Sequence, residues 1–253
     1  ENERSYRIQN TFFHHSLKPN IKVDSNWGGI KYKTCTNKYG FRENCSKENF
    51  KNDNLQNILF IGDSFTEGLG LGYEKTFVGL YEKYSKDKVL NLAVTSYSPI
   101  IYFNKIKYYL DRGLQAKHVI VFIDISDIDD EKNYYKICED GKHVCDVQPI
   151  NNLSKITNIG KTEEQNFLPL MNFLKQQIRK VKKRIKPENY IYRRNFQRSS
   201  WTYLENNFTD NQGINNAINY MTKLSNYLNN RNIKLSIGVY PHPATLLYDT
   251  ENS

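Results

Sequence analysis

The chain has 253 residues, a formal net charge of +9 and a mean hydropathy of −0.72, with 38% hydrophobic residues. That length accommodates one α/β domain with a sizeable core, and 19 Tyr and 13 Phe supply buried area that the sparse aliphatic residues do not. No run approaches the roughly 18 apolar residues of a membrane helix and no signal-peptide pattern is read, which excludes a membrane-spanning helix among the residues given.

Residues 1–56 are polar, with Pro19, Gly28, Gly29 and Gly40 as breakers. They read as an irregular N-terminal wrap over the domain that follows. His14-His15 has no acidic or His partner at ligand spacing, so a surface pair is expected there rather than a metal site. The four cysteines form two close pairs, Cys35 with Cys45 and Cys138 with Cys145, each in a polar, turn-rich segment. Their spacing is wider than the Cys-x2-Cys of zinc sites. Two local disulfides in an oxidising compartment such as the periplasm are one reading, and four reduced thiols in the cytosol the other. The chain opens at Glu1 rather than Met and reads as an excised piece, which leaves room for an anchor or signal upstream.

A strand–helix alternation begins at residue 57. The short apolar run Ile58–Ile61 predicts a buried strand over 57–62 that stops at Gly62-Asp63-Ser64, with Gly62 freeing the backbone to turn. Phe77, Leu80, Tyr81 and Tyr84 are spaced three and four apart, so 74–84 is expected to be an amphipathic helix. A second strand is expected at 89–94. A second helix follows over 99–112, with Pro99 in its first turn and Gly113 after its end. The run Val119-Ile-Val-Phe-Ile123 marks a third strand, 117–125, buried on both faces. Residues 129–160 break the rhythm, 163–186 reads as a helix, and 187–210 as an irregular basic and aromatic excursion. Together 129–210 form an insertion, a candidate lid. A last helix at 212–230 and a fourth strand at 234–240 end at Pro241 and Pro243.

This alternation predicts an α/β fold, a three-layer α/β/α sandwich whose parallel, flavodoxin-like sheet has the strand order 2-1-3-4. A fifth strand and a last helix are expected and missing, so the C-terminal part of the domain, 57–253, reads as incomplete. The segments leaving the four strand ends converge on one edge of the sheet, where open α/β sheets bind ligands. Ser64 is then a candidate nucleophile, if a base deprotonates it and an oxyanion hole receives the developing charge. Gly68-Leu-Gly-Leu-Gly72 reads as a flexible rim, since no Gly-Lys-Ser/Thr follows it and Gly62 already occupies the strand end. Asp124, Asp127, Asp129 and Asp130 lack the regular oxygen spacing of a hard-cation loop, so capping and solvation are expected and no metal. Lys175 to Arg198 concentrates positive charge. A solvated helix face is expected there rather than a nucleic-acid surface.

Gly62-Asp63-Ser64-Phe65, Asn91-Leu-Ala-Val-Thr-Ser-Tyr-Ser98 and Ile125-Ser-Asp-Ile128 resemble the first three sequence blocks of the SGNH (GDSL-type) hydrolases. The resemblance implies that Ser64 is the nucleophile and that the Ser64 and Ser96 amides are oxyanion donors. It puts Ser126 where the family has an asparagine side-chain donor. A hydroxyl there is shorter and has one proton to direct. The family's base, a His three residues after an Asp, has no counterpart. His242, with Asp249 seven residues on, sits one strand too early, so the catalytic Asp and His are expected beyond Ser253, with His242 the weaker alternative. The resemblance thus implies a serine esterase or O-acyltransferase needing no cofactor. Its expected partner is an acylated surface carbohydrate or another small ester, and its expected location is the periplasm or a membrane anchor facing it. The contrasting reading is an inactive carbohydrate-binding module on the same fold.

Overall fold

The run at 58–61 becomes β6 (Asn57–Ile61), buried along its whole length. Leu59 and Ile61 enter one core cluster and Ile58 and Phe60 the other, as a strand covered on both faces requires. β8 (Ala116–Ile123) repeats the division, with Val119 and Val121 on one side and Ile120 and Phe122 on the other. β7 (Val89–Asn91) and β11 (Lys234–Val239) pair in parallel at the two flanks, giving the order β11-β8-β6-β7. This is the predicted 2-1-3-4 arrangement. The structure, a computed structural model, describes residues 3–46, 57–85, 87–147 and 212–240.

Helices cover both faces. α2 (Phe77–Ser85) packs Val78 and Tyr81 on the Ile58/Phe60 side. It starts later than its periodicity suggests, because residues 73–75 form a 3-10 turn and the Thr76 hydroxyl accepts the Gly79 N–H at 3.0 Å. α3 (Pro99–Leu110) and α5 (Gln212–Asn229) cover the opposite face through Ile100, Ile101, Tyr102, Ile106, Leu224 and Leu228. Between them α4 (Ser126–Asn133) occupies the start of the stretch that reads as a break. Its buried Glu131 accepts the Ile100 N–H and the Ser98 hydroxyl, capping α3 from outside. Burial raises the Glu131 carboxyl to about 7.

The sheet is mixed, not wholly parallel. β3 (Lys22–Trp27), β4 (Ile30–Thr36) and β5 (Arg42–Glu43) extend it beyond β7 in antiparallel pairing. The N-terminal segment is therefore not irregular. Its strands were hidden because Ser25, Thr34 and Thr36 fill inward positions that apolar residues usually occupy. Ser25 donates to the Thr34 hydroxyl at 2.8 Å, which makes that burial tolerable. β1 (Arg7–Asn10) and β2 (His14–Leu17) form a separate hairpin. Tyr6, Phe13, Leu17 and Phe41 from this segment lie in the main core. Among them sits Lys105 of α3, fully buried, with its ammonium donating to Leu92 O at 2.8 Å and the Tyr97 hydroxyl at 2.9 Å. Burial holds it well below the ordinary lysine range.

Both cysteine pairs are bonded, Cys35–Cys45 joining β4 to the chain just past β5 and Cys138–Cys145 closing the hairpin of β9 (Tyr135–Ile137) and β10 (Val144–Asp146). Two bonded pairs with no free thiol fit an oxidising compartment, where disulfides persist. No helix among the described residues is long and apolar enough to cross a membrane. The chain divides into two units. The described residues fall almost wholly in the first, Glu1–Cys145 with Asp210–Tyr240. The predicted helix at 163–186, the basic segment at 175–198 and most of the 129–210 insertion lie outside the described residues.

Candidate active site

β6 ends at Gly62, and the chain enters a one-turn helix, α1 (Ser64–Glu67), capped by the Asp63 side chain, which accepts the Phe65 N–H at 3.0 Å. Gly62 is required for space and not for a left-handed turn. A Cβ there would lie 2.3 Å from the Thr66 hydroxyl oxygen and 2.9 Å from Phe122 O on β8. β6 connects to α2 on one face, whereas β8 runs on to α4. The edge between β6 and β8 is the switch point at which α/β sheets place their sites. Ser64 is half-buried at that edge, and its hydroxyl donates to Asp63 Oδ2 at 3.2 Å.

Ser96 lies in the loop after β7, exposed and at φ 62°, the left-handed region that suits glycine. A serine keeps such an angle only where its surroundings hold it there. Among the described residues neither the Ser64 nor the Ser96 N–H has a hydrogen-bond acceptor. Two free amides in the loops beside a strand-end serine are what stabilisation of an oxyanion requires.

Ser126 is arranged differently. Its hydroxyl donates to Asp124 Oδ1 at 2.5 Å and its N–H to the same oxygen at 2.6 Å. Its proton is committed to holding the start of α4, so the side-chain donor that the sequence assigns to it is not available in this arrangement. Asp124 and Asp127 are also not solvated, as they read in sequence, but buried. With Asp63 they bring three carboxylates together, one oxygen of each within 4.8 Å of the others. Asp127 Oδ2 accepts the Tyr102 hydroxyl at 2.8 Å and the Asp124 N–H at 3.1 Å, while Oδ1 has no partner among the described residues. Burial, then repulsion from Asp63 and Asp124, drives Asp127 well above the usual carboxylate range. Burial and the Asp124 charge raise Asp63 as well, against the hydrogen bond from the Tyr240 hydroxyl. The trio has the donor set of a hard-cation site, and shared protons relieve its repulsion equally well.

Sequence reasoning missed three groups around Ser64: Glu67, Arg7 and Arg42. Glu67, at the end of α1, is buried and accepts the Thr95 N–H at 2.7 Å, the Thr95 hydroxyl at 3.0 Å and the Arg7 guanidinium at 3.1 Å. Arg42, 2% exposed, donates to the carbonyls of Glu67, Gly68 and Leu71. The glycine-rich rim is thus pinned by Arg42 from the neighbouring β5. The histidine pair is not on the surface but half-buried, with His15 Nε2 donating to Thr95 O at 2.9 Å. None of the four described histidines hydrogen-bonds Ser64, whose hydroxyl partner is Asp63. His242 lies outside the described residues.

No family model matches the chain, and no curated protein does. A solved structure from Desulfitobacterium hafniense DCB-2, described as a lipolytic protein of the G-D-S-L family, aligns with 72% of this chain and 77% of its own. The two are 16% identical with a TM-score of 0.27, a likeness that carries no weight for function.

Proposed function

We propose that this chain is an acyl-transfer module of the SGNH type, in which Ser64 attacks an ester carbonyl and the Ser64 and Ser96 amides receive the oxyanion. One observation carries this reading: among the described residues both amides lack acceptors beside a half-buried serine at the end of the central strand. Collapse of the tetrahedral intermediate expels the alcohol and leaves an acyl-enzyme on Ser64. Water then releases the acid, or a sugar hydroxyl accepts the acyl group. The Asp63 carboxylate holds the Ser64 hydroxyl at rest, and a base from outside the described residues takes its proton. The two disulfides support an extracytoplasmic setting, the periplasm or a membrane anchor facing it, where acylated surface carbohydrate is the proposed substrate.

The test is a fluorophosphonate probe on the protein with its full natural sequence. One adduct on Ser64, absent from Ser64→Ala, is the expected result. A protein that never labels removes the catalytic reading. The second reading, an inactive carbohydrate-binding module, draws on Ser126 being committed to Asp124. Glycan binding that survives Ser64→Ala in a protein that does not label would favour it.

A further inference from the structure

We propose that Glu67 is a positioning residue, held by Arg7 and backed by His15, that keeps the Ser96 amide in its donor conformation. This rests on the acyl-transfer reading. Ser96 holds a left-handed φ of 62°, which a non-glycine residue keeps only where its surroundings dictate it. Here every neighbouring polar group is tied. The Thr95 N–H and hydroxyl both go to Glu67 Oε2. Thr95 O accepts His15 Nε2–H, Ser96 O accepts the Tyr135 hydroxyl at 2.6 Å, and the Tyr97 N–H goes to Val94 O at 3.2 Å. Among the described residues the Ser96 N–H has no acceptor.

Glu67 also belongs to α1, the turn that begins with Ser64. Its N–H donates to Asp63 O at 2.8 Å and its carbonyl accepts Arg42, so its backbone is fixed relative to the nucleophile. The carboxylate then joins the two loops that supply the two amides. At 1% exposure it needs a charge partner, and Arg7 meets it through both terminal nitrogens while its Nη2 also reaches the Thr95 hydroxyl at 3.0 Å. Thr95 O can only accept, so His15 carries its proton on Nε2. Its Nδ1 accepts from His14 Nδ1 at 2.7 Å. Burial pushes His15 down to about 3, so it stays in this neutral form at any pH at which the protein would work. The N-terminal hairpin thereby reaches the second oxyanion loop without touching the reacting atoms.

The experiment uses Glu67→Gln, which sets an amide NH2 against the Arg7 guanidinium. Ser64 labelling by fluorophosphonate is expected to slow about tenfold or more, the order for losing a charged hydrogen-bond network. Ser96→Gly placed in that background is expected to recover at least about threefold, because glycine enters the left-handed region unaided. Misfolding would not be rescued in this way. Amide exchange at Thr95 is expected to rise about tenfold in the single variant, with β6 and β8 amides unchanged. Unchanged labelling, or a slow variant that Ser96→Gly does not rescue, overturns the proposal. If the wild type never labels, the acyl-transfer reading fails, and exchange decides alone: equal exchange at Thr95 in both proteins overturns the positioning role. Should Glu67→Gln not fold, Thr95→Val removes the hydroxyl between Arg7 and Glu67, and about threefold slower labelling is expected. No change there overturns the proposal too.

Discussion

The two loops that flank Ser64 are held by opposite chemistry. On the β7 side an acid is buried against a base: Glu67 meets Arg7, and Thr95, Ser96 and Tyr97 are tied around them. On the β8 side three acids are buried against one another, and the causes that lower Asp63 and Asp127 are hydrogen bonds alone. Negative charge developing on a substrate oxygen is welcome beside free amides and unwelcome beside a carboxylate trio. The difference therefore assigns the sides. In the proposed acyl transfer the oxyanion lies toward Ser96, while the β8 loop anchors α4 and its Ser126 hydroxyl serves Asp124.

The comparison is broken most severely at Arg42. Arg42→Ala strands three carbonyls and opens a buried cavity, so a loss of about 4 kcal/mol in unfolding free energy is expected from urea denaturation. A cost below about 1 kcal/mol would mean that the glycine-rich rim does not depend on β5. Next comes Glu131. A carboxyl raised in the folded state binds more protons there than in the unfolded chain, so its contribution is complete below about pH 4.5 and is lost as pH rises to about 7. The size of that loss is on the order of 3 kcal/mol. Glu131→Gln should flatten the fall in urea midpoint between those pH values, and an unaltered slope would show that the cap over α3 is solvated.

Removing the Cys35–Cys45 bond, which spans 10 residues in sequence, should cost about 2–3 kcal/mol and leave the β6 edge intact. Asp127→Asn carries the smallest expected effect and sharpens the contrast itself. It removes one charge from the trio but keeps an oxygen for Tyr102, so stability above neutral pH should rise by about 1 kcal/mol. Wild-type stability falls as pH climbs through the raised range of Asp63 and Asp127, and the variant should fall less. A loss of stability on this substitution, together with stabilisation of the wild type but not the variant by added Mg²⁺ or Ca²⁺, would instead identify the trio as a cation site.

The parallel half of the fold was legible because 58–61 and 119–123 are near-continuous apolar runs, which only strands covered on both faces need. The antiparallel half was not, because Ser25 and Thr34 satisfy each other inside the sheet and erase the alternation. Ser64 was legible from its position after a buried strand. Glu67 and Arg7 were not, because an acid and a base sixty residues apart carry no local signal until the fold brings them within 3.1 Å. Ser96 was singled out by position, but its left-handed backbone angle carries no sequence signal, because serine seldom adopts it. The bond from the Ser126 hydroxyl to Asp124 was not legible, because an Asp two residues away gives no sign of whether it will turn back on that hydroxyl.

The central claim is that Ser64 forms an acyl-enzyme. Intact mass of the full natural protein after brief exposure to p-nitrophenyl acetate measures this most directly. One added acetyl group, mapped to Ser64 and missing from Ser64→Ala, is the expected result. Acetylation spread over lysines at the same rate in both proteins would contradict it.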